Sequence, residues 1–189
     1  MKLNLKKLSY DKIFIIIFIV IIMILFAFYL FINNPRVYTF SPADRSGKTI
    51  FILGSVHGNE PAGFRASEQI RHWPITCGKL LVLPQVNRLG LAANLRWAPE
   101  YRNDREKRDL NRNFPREKGA PAITPLCRAI WAFVSKHKPE WVFDLHEGFD
   151  FHRINPKSVG SSIITFPAEA SFAQVMVDAV NDGIKPEQH

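Results

Sequence analysis

The sequence has 189 residues, of which 47% are apolar and 22% are charged, and this composition excludes a low-complexity polymer and a typical disordered chain. Its two cysteines, Cys77 and Cys127, are too few for a disulfide framework or a cysteine-based zinc site, although a single bridge between them stays open. The net charge of +8 suits an anionic substrate or an anionic surface, whereas the lack of interleaved aromatic and basic residues argues against a nucleic-acid partner.

The first element in the chain is an apolar run over residues 13–32 that contains no charged residue. A helix of this length reaches about 30 Å, which matches the thickness of a bilayer core. A cleavable signal peptide is the alternative, but its apolar stretch usually has about 7–15 residues and ends in small residues. Basic residues are more frequent before the run than after it, with Lys2, Lys6, Lys7 and Lys12 on one side and Arg36, Arg45 and Lys48 on the other. We therefore predict a single-pass helix in the lipid bilayer, with a cytoplasmic N-terminus and an extracytoplasmic remainder, periplasmic or at the cell surface.

Composition divides the chain into four segments. Residues 1–12 are a basic N-terminal flank and residues 13–32 are the predicted membrane helix. Residues 33–47 contain Pro, Ser and Gly and are typical of a linker, so we expect one folded domain over residues 48–189.

The domain alternates between short apolar runs and segments with helical spacing. The run at residues 49–55 predicts a strand buried on both faces in a parallel sheet, and two further runs predict strands at residues 79–83 and 141–145. Helices are predicted at about residues 61–72, 123–136 and 168–180. Residues 85–121 show no clear period and predict a long loop region. This order predicts an α/β fold with a mixed, largely parallel sheet.

Two potential zinc ligands, His57 and Glu60, directly follow the first predicted strand, where Gly58 is expected to allow a tight turn. His146 follows the third predicted strand, and right-handed crossovers would bring that strand end to the same edge of the sheet. A catalytic zinc ion needs three protein ligands and a water. Taken alone, His57 and Glu60 indicate a surface turn, and His146 alone indicates a structural residue. The joint placement of all three predicts one Zn²⁺ site. Asp144 would lie on the same side of its strand as His146, as a partner of a ligand or as a buried, hydrogen-bonded Asp.

A second group of polar residues lies within the predicted loop, where residues 108–115 read Arg-Asp-Leu-Asn-Arg-Asn-Phe-Pro. Asn111 and Arg112 supply an amide and a guanidinium fork side by side, and these are suitable donors for a carboxylate or a polarised carbonyl. A solvated charged loop is the alternative interpretation of residues 102–118.

Three motifs occur in order, His-Gly-Asn-Glu at 57–60, Asp-Leu-Asn-Arg-Asn-Phe at 109–114 and Asp-Leu-His at 144–146. Together they resemble the zinc carboxypeptidase superfamily, and within it the succinylglutamate desuccinylase and aspartoacylase branch. The resemblance runs from about residue 48 to the end of the chain. It implies a zinc carboxypeptidase-like fold with helices on both faces of the sheet. It also implies one Zn²⁺ ion on His57, Glu60 and His146.

The resemblance further implies how a substrate would be bound. Asn111 and Arg112 would bind a substrate carboxylate, and an arginine upstream of them, either Arg102 or Arg105, would polarise the scissile carbonyl. Arg153 is a further candidate for an anion contact. A zinc-activated water would then hydrolyse an amide bond in a small anionic peptide or an N-acyl amino acid.

The sequence departs from the family pattern at the general base. Family members carry a catalytic glutamate on a strand some tens of residues after the last zinc ligand. Here Glu147, Glu169 and Glu187 do not fit that position, so the catalytic base stays unassigned. We therefore expect a zinc hydrolase-like domain that is incomplete at its C-terminus.

Two functions stay open at this point. One is a membrane-anchored zinc hydrolase of the carboxypeptidase or N-acyl amino acid deacylase type. The other is a catalytically impaired or non-catalytic metal-binding remnant that lacks the general-base glutamate. A purely structural membrane protein would require three ordered motifs to coincide by chance.

Overall fold

The computed structural model describes residues 10–44, 46–149 and 155–183. These belong to two compact units, Met1–Leu145 and His146–His189. The helices of the first unit are α1 (Tyr10–Asn33), α2 (Pro61–Ile70), α3 (Arg88–Ala93) and α4 (Pro125–His137). Its strands are β1 (Tyr38–Phe40), β2 (Thr49–Gly54), β3 (Lys79–Leu83) and β4 (Trp141–Leu145). The second unit contains α5 (Ala170–Asn181).

The four strands form one mixed sheet in the order β1-β3-β2-β4. Strand β2 is parallel to both β3 and β4, whereas β1 is antiparallel to β3. In the register of β2 and β4, Gly54 lies opposite Leu145. The carboxyl ends of these two strands therefore lie side by side, which is the edge where parallel α/β sheets place their ligands.

Helices cover both faces of this sheet. On one face, Phe51 and Leu53 of β2 pack with Leu126 and Ile130 of α4 in the main core. On the other face, Ile52 of β2 belongs to a second cluster, against which Ile70 of α2 packs. Because β2 is buried on both sides, its sequence is a continuous apolar run rather than an alternating one. The predicted mixed α/β fold with helices on both faces is confirmed.

Helix α2 begins with Pro61 at its first position, as its sequence predicts. It lies very close to β4 because Gly63 has no side chain. A Cβ atom at Gly63 would lie only 2.2 Å from the carbonyl oxygen of Leu145. This contact joins α2, which follows the turn of residues 55–60, to the strand that precedes His146.

Helix α1 is apolar along its length, and none of its described residues is buried within the protein. It is long and apolar enough to cross a membrane, and a signal sequence near an N-terminus meets the same criteria. The division of the chain at residues 12, 32 and 47 remains a prediction.

The structure adds two elements to the sequence-based picture. Strand β1 lies within residues 33–47, the predicted linker, and pairs there with β3. Helix α3 lies within residues 85–121, the predicted long loop, and Asn87 caps its N-terminus by accepting a hydrogen bond from the Gly90 N–H.

The disulfide that the sequence left open is not formed. Cys77 is free and exposed, and Cys127 is free and buried. Burial raises the pKa of the Cys127 thiol to about 11, so this cysteine is inert at neutral pH.

Candidate metal centre

The turn after β2 carries the first two predicted ligands into the protein interior. Its backbone leaves the strand through Ser55, which has a left-handed φ of 57°. The Glu60 N–H then donates to the His57 carbonyl oxygen at 3.3 Å, which closes the turn. As a result, His57 is only 2% exposed and Glu60 only 6% exposed. Buried ionisable residues at this depth require partners for their polar atoms.

Gly58 is required in this turn because of a close backbone approach. A Cβ atom at Gly58 would lie 2.0 Å from the carbonyl carbon of Gly90 in α3 and 2.4 Å from the Leu91 nitrogen. The sequence analysis expected Gly58 to permit a tight turn, but the residue with unusual backbone angles is Ser55. The glycine instead allows the ligand turn to pack directly against α3.

Both ring nitrogens of His57 lie near a carboxylate. Nδ1 is 2.7 Å from Oε1 of Glu60, and Nε2 is 3.2 Å from Oδ1 of Asp109. An ionised Asp109 only accepts hydrogen bonds, so we infer that Nε2 carries a proton and donates it to Asp109. Nδ1 then faces Glu60 Oε1 at a separation where two acceptors repel each other unless a proton or a cation lies between them. Either a shared proton or a bound cation would remove this repulsion, and the imidazole and the carboxylate are both suitable ligands for a cation.

Asp109 belongs to the stretch of residues 102–118, which we call the arginine loop. Its Oδ1 also accepts from the Asn111 N–H at 3.1 Å and so begins a short 3₁₀ turn over Leu110–Arg112. The buried Asn113 donates through Nδ2 to the carbonyl oxygens of Asp109 and Glu106, at 2.7 Å and 3.0 Å. These bonds hold the Asp109 carboxylate against His57.

Arg96 is a further charged residue at this centre. Its NH1 donates to Glu60 Oε1 at 3.1 Å, and the Arg96 guanidinium lies over the Trp97 ring at 5.4 Å. The Arg96 side chain is 38% exposed, so water screens part of its charge.

The third predicted ligand, His146, follows Leu145, the last residue of β4, and is exposed. One ligand atom from each of His57, Glu60 and His146 lies within 4.8 Å of the other two. Three donors at such separations suit one shared ion, and exposure of His146 is compatible with the open position that a catalytic zinc site keeps. Asp144 is also exposed, so of the two roles considered for it the buried, hydrogen-bonded Asp is wrong, and a partner of a ligand stays a prediction.

The predicted substrate-binding residues lie on or near the arginine loop. Arg105 and Arg112 are both exposed and line one cavity of about 550 Å³, together with Arg116. Asn111 is partly buried beside them. Arg102, the alternative to Arg105, is exposed, but it is not among the residues that line this cavity. Arg153 lies outside the described residues.

Two of the three glutamates considered for the general base lie within the described residues. Glu147 is exposed directly after His146, Glu169 ends a short 3₁₀ turn before α5, and Glu187 lies outside the described residues. We assign the role of general base to none of them.

Sequence reasoning missed the roles of Asp109 and Arg96. Asp109 is part of a recognised motif, but its bond to His57 spans 52 positions along the chain. A His paired with a carboxylate on its far nitrogen is common at metal sites, so an Asp in the second motif was a usable signal. No local sequence pattern indicates a role for Arg96. Its hydrogen bond to Glu60 depends on the path of the chain after α3.

Comparison with known proteins gives a match over most of the folded region. Residues 46–159 match the succinylglutamate desuccinylase/aspartoacylase catalytic domain. No curated protein matches the chain significantly.

Several solved structures resemble this chain. The tripeptide-bound cell shape determinant Csd4 from Helicobacter pylori has a TM-score of 0.50 and 25% identity, covering 62% of this chain and 28% of that one. A variant of the same Helicobacter pylori protein has a TM-score of 0.63 and 23% identity, covering 80% of this chain and 40% of that one. A succinylglutamate desuccinylase/aspartoacylase from Rhodobacter sphaeroides has a TM-score of 0.47 and 22% identity, covering 60% and 34%. The chain thus spans less than half the length of each of these proteins.

Proposed function

This chain belongs to the succinylglutamate desuccinylase/aspartoacylase catalytic-domain family, and we propose that it is a membrane-anchored, zinc-dependent hydrolase of an amide bond next to a carboxylate. The observation that carries this proposal is the buried His57–Glu60 pair, whose imidazole nitrogen and carboxylate oxygen are suitable ligands for one zinc ion. The family match supports the class of reaction.

The donors at the centre fit zinc better than a hard cation. Imidazole nitrogen and carboxylate oxygen are both common zinc ligands, whereas calcium and magnesium prefer an all-oxygen set. His57, Glu60 and His146 would hold the ion, in line with their mutual separations. When bound, zinc would supply a Lewis acid that polarises a carbonyl and makes water more acidic.

Asp109 has a positioning role in this proposal. By accepting from Nε2, it selects the His57 tautomer whose Nδ1 lone pair is available to the ion. Because Asp109 also caps the turn that carries Asn111, one carboxylate links the ligand His57 to the residues proposed to bind substrate.

Arg112 and Asn111 would bind the carboxylate of the substrate. The Arg112 guanidinium is exposed in a cavity, so it can form a bidentate pair with an incoming anion. Arg105 lines the same cavity and would donate to the oxygen of the scissile carbonyl as negative charge develops there. Arg153, which lies outside the described residues, stays a candidate for an anion contact.

The substrate would be a small anionic peptide or an N-acyl amino acid. The Helicobacter pylori structure bound to a tripeptide supports a peptide substrate, and the family description supports an N-acyl amino acid. In either class of substrate, the exposed arginines of the cavity would bind a carboxylate next to the cleaved bond.

The membrane anchor is part of the proposal. We infer that α1 spans the bilayer once, with the N-terminus in the cytoplasm and the folded units outside, because its apolar surface is uncovered and basic residues cluster before it. A reporter fused after His189 and tested on each side of the membrane decides the orientation, and a cytoplasmic signal would reverse it.

Metal analysis tests the proposed centre directly. The purified full chain should bind one zinc ion, and His57→Ala and His146→Ala should each abolish stoichiometric zinc while the far-UV spectrum stays unchanged. Arg112→Ala is the matched control, since its side chain binds substrate and zinc content should stay at one. Full zinc content in the two histidine variants would reject this ligand set.

Activity decides between the hydrolase and the metal-binding alternative. The zinc-loaded full chain is assayed against carboxypeptidase substrates and N-acyl amino acids, with His57→Ala as the background. Hydrolysis that depends on His57 supports the proposed enzyme. Stoichiometric zinc without hydrolysis would instead favour the non-catalytic metal-binding protein, because general acid–base assistance alone is worth about 10²–10⁴-fold in rate.

A further inference from the structure

Helix α4 has one buried side and one exposed side. Leu126, Cys127 and Ile130 point into the main core. The opposite side carries Arg128, Trp131 and Lys136, all exposed. The apolar side is buried against the sheet, so the exposed side of α4 can contact another molecule or a membrane.

The exposed side has the composition of a surface helix at a membrane. Helix α4 contains no Asp or Glu, so its outer side is cationic along its length. Trp131 is 42% exposed between the two basic residues. Tryptophan beside Lys and Arg is typical of protein surfaces at the level of lipid headgroups.

This side of α4 lies next to the end of α1. The two helices contact each other, and Lys136 lines the same cleft as Asn34, the first residue after α1. Tyr29 of α1 and Arg128 of α4 both act electrostatically on Tyr101, although desolvation is the largest cause of its raised pKa. The outer side of α4 is therefore continuous with the place where α1 would leave the bilayer.

Two more arginines surround the last turn of α1. The guanidinium groups of Arg36 and Arg88 lie 4.9 Å and 4.2 Å from the centre of the Phe31 ring. Arg88 also donates through NH2 to the Asn34 carbonyl oxygen at 2.9 Å, while its buried NH1 has no hydrogen-bond partner within the described ranges. Desolvation, and then the charge of Arg36, lower the pKa of Arg88. An anion near these two cations would relieve their repulsion.

We propose that Arg36, Arg88, Arg128, Trp131 and Lys136 form a membrane-facing surface, the basic collar, that binds the headgroups of anionic phospholipids. The inference rests on the proposed anchoring by α1 and goes beyond the proposed hydrolysis. Two observations support the inference, namely the positive charge of these residues and their position next to the end of α1. If α1 crosses a bilayer, the lipid phosphate groups would lie at the same level as these side chains. Each Lys or Arg near an anionic membrane adds to the attraction, which is screened by salt.

Glu100 is an acidic residue near this surface, because its charge acts on Tyr101 together with those of Tyr29 and Arg128. Burial raises the pKa of Glu100. Its single carboxylate is outnumbered by the four basic side chains of the collar, so the surface keeps a positive charge.

A spin label on the outer side of α4 tests the collar. The full chain carrying Cys77→Ser and Ser135→Cys is labelled with a nitroxide and placed in lipid nanodiscs, either of phosphatidylcholine alone or with about 30% phosphatidylglycerol. Cys127 is buried with a thiol pKa of about 11, so it does not compete for the label. Accessibility of the nitroxide to a water-soluble nickel chelate is measured by electron paramagnetic resonance. The control label replaces Gln69, which is exposed on α2 at the opposite face of the sheet.

We expect phosphatidylglycerol to lower the accessibility at position 135 by about threefold and to leave position 69 unchanged. Adding Arg128→Gln and Lys136→Gln, or raising NaCl to about 0.5 M, should restore the accessibility at position 135. No response to phosphatidylglycerol at position 135, or an equal response at position 69, would overturn the collar. The same decrease produced by inorganic phosphate without anionic lipid would overturn it as well, because a free anion would then be the ligand.

Intact mass separates this proposal from the anchor and from the enzyme. If the purified chain retains α1 but position 135 does not respond to anionic lipid, only the collar fails. If α1 has been removed from the chain, the anchor fails and the collar fails with it. Zinc content is measured on the same samples, so the hydrolase proposal is judged independently.

Discussion

The ligand turn after β2 and the arginine loop contribute to one candidate centre in different ways. In the turn, His57 and Glu60 are buried and bonded to neighbouring charged groups. In the loop, the backbone is held by Asp109 and Asn113, but the guanidinium groups of the substrate-binding candidates remain exposed. In the proposed function, metal binding would therefore be coupled to the folding of the core, whereas substrate binding would depend on side chains that the core does not hold.

This difference predicts that the two functions separate under mutation. Changes in the turn should affect stability and metal content together, because their neighbours are backbone and buried charge. Changes at the exposed arginines should affect ligand binding and leave the metal in place. Four substitutions test this division, in order of decreasing expected effect.

The largest effect should come from Gly58→Ala in the ligand turn. The added Cβ would lie 2.0 Å from the Gly90 carbonyl carbon, and backbone cannot move aside as a side chain can. We expect a loss of about 3 kcal/mol or more in unfolding free energy, together with loss of zinc. Denaturant unfolding and metal content measure both. Gly183→Ala is the control, since a Cβ at that position meets only an ordinary contact at 3.4 Å. Equal stability of the two variants would show that the turn does not depend on its contact with α3.

The second effect should come from Asp109→Asn, which joins the two regions. The amide keeps an acceptor for the Asn111 N–H but removes the charge that favours the Nε2–H tautomer of His57. We expect zinc affinity to fall by about 10–100-fold while unfolding is little changed. Competition with a zinc chelator measures the affinity. Asp104→Asn, in the same loop and paired with Lys107 at 2.8 Å, should leave it unchanged. Unchanged affinity in Asp109→Asn would remove the positioning role.

The strands and helices differ in how far local sequence predicts them. The apolar runs predict β2 and β3 because a buried parallel strand leaves a continuous local signal. Strand β4 was predicted from the same kind of run, but it lies at the edge of the described sheet and its residues alternate between partly buried and exposed. Strand β1 has three residues next to a proline-containing segment, and only its pairing with β3 makes it a strand. Helix α3 has six residues, too few for a clear period, although the cap at Asn87 was a usable local signal.

The residues of the candidate metal centre also differ in how far local sequence predicts them. The three metal-ligand candidates were predictable because each follows a strand whose parallel arrangement brings strand ends together. The bonds from Asp109 to His57 and from Arg96 to Glu60 were not, since they depend on the path of long irregular segments. No periodic pattern specifies such a path.

An effect no larger than that of Asp109→Asn, and confined to substrate binding, should come from Arg112→Ala in the arginine loop. Loss of a bidentate charged pair should weaken binding of an anionic substrate by about 10–100-fold, with zinc content and unfolding unchanged. Arg112→Lys should recover only part of this affinity, because an ammonium group lacks the planar fork. Calorimetric titration with an N-acyl amino acid measures the effect. Arg116→Ala, which removes another arginine of the same cavity, serves as the control. If a substrate analogue without its carboxylate bound the unmodified chain and the Arg112→Ala variant with different affinity, the assignment would be contradicted.

The smallest effect should come from Arg96→Ala. The direction of the change in zinc affinity in this variant distinguishes the two regions most clearly. Arg96 donates to Glu60 at 3.1 Å, so it stabilises the buried carboxylate when no metal is bound, but its positive charge also opposes a cation there. Removing Arg96 should lower the unfolding temperature of the metal-free protein and raise zinc affinity by up to about fivefold, since the guanidinium is partly exposed and screened. The shift in unfolding temperature on adding zinc should therefore be larger than in the unmodified chain. Arg108→Ala removes a second cation stacked on Trp97 and is the matched control for lost packing. If Arg96→Ala weakened zinc binding instead, the main role of the arginine would be to hold Glu60 in place. The ligand turn would then depend on Arg96 for its rigidity, even though its residues are buried.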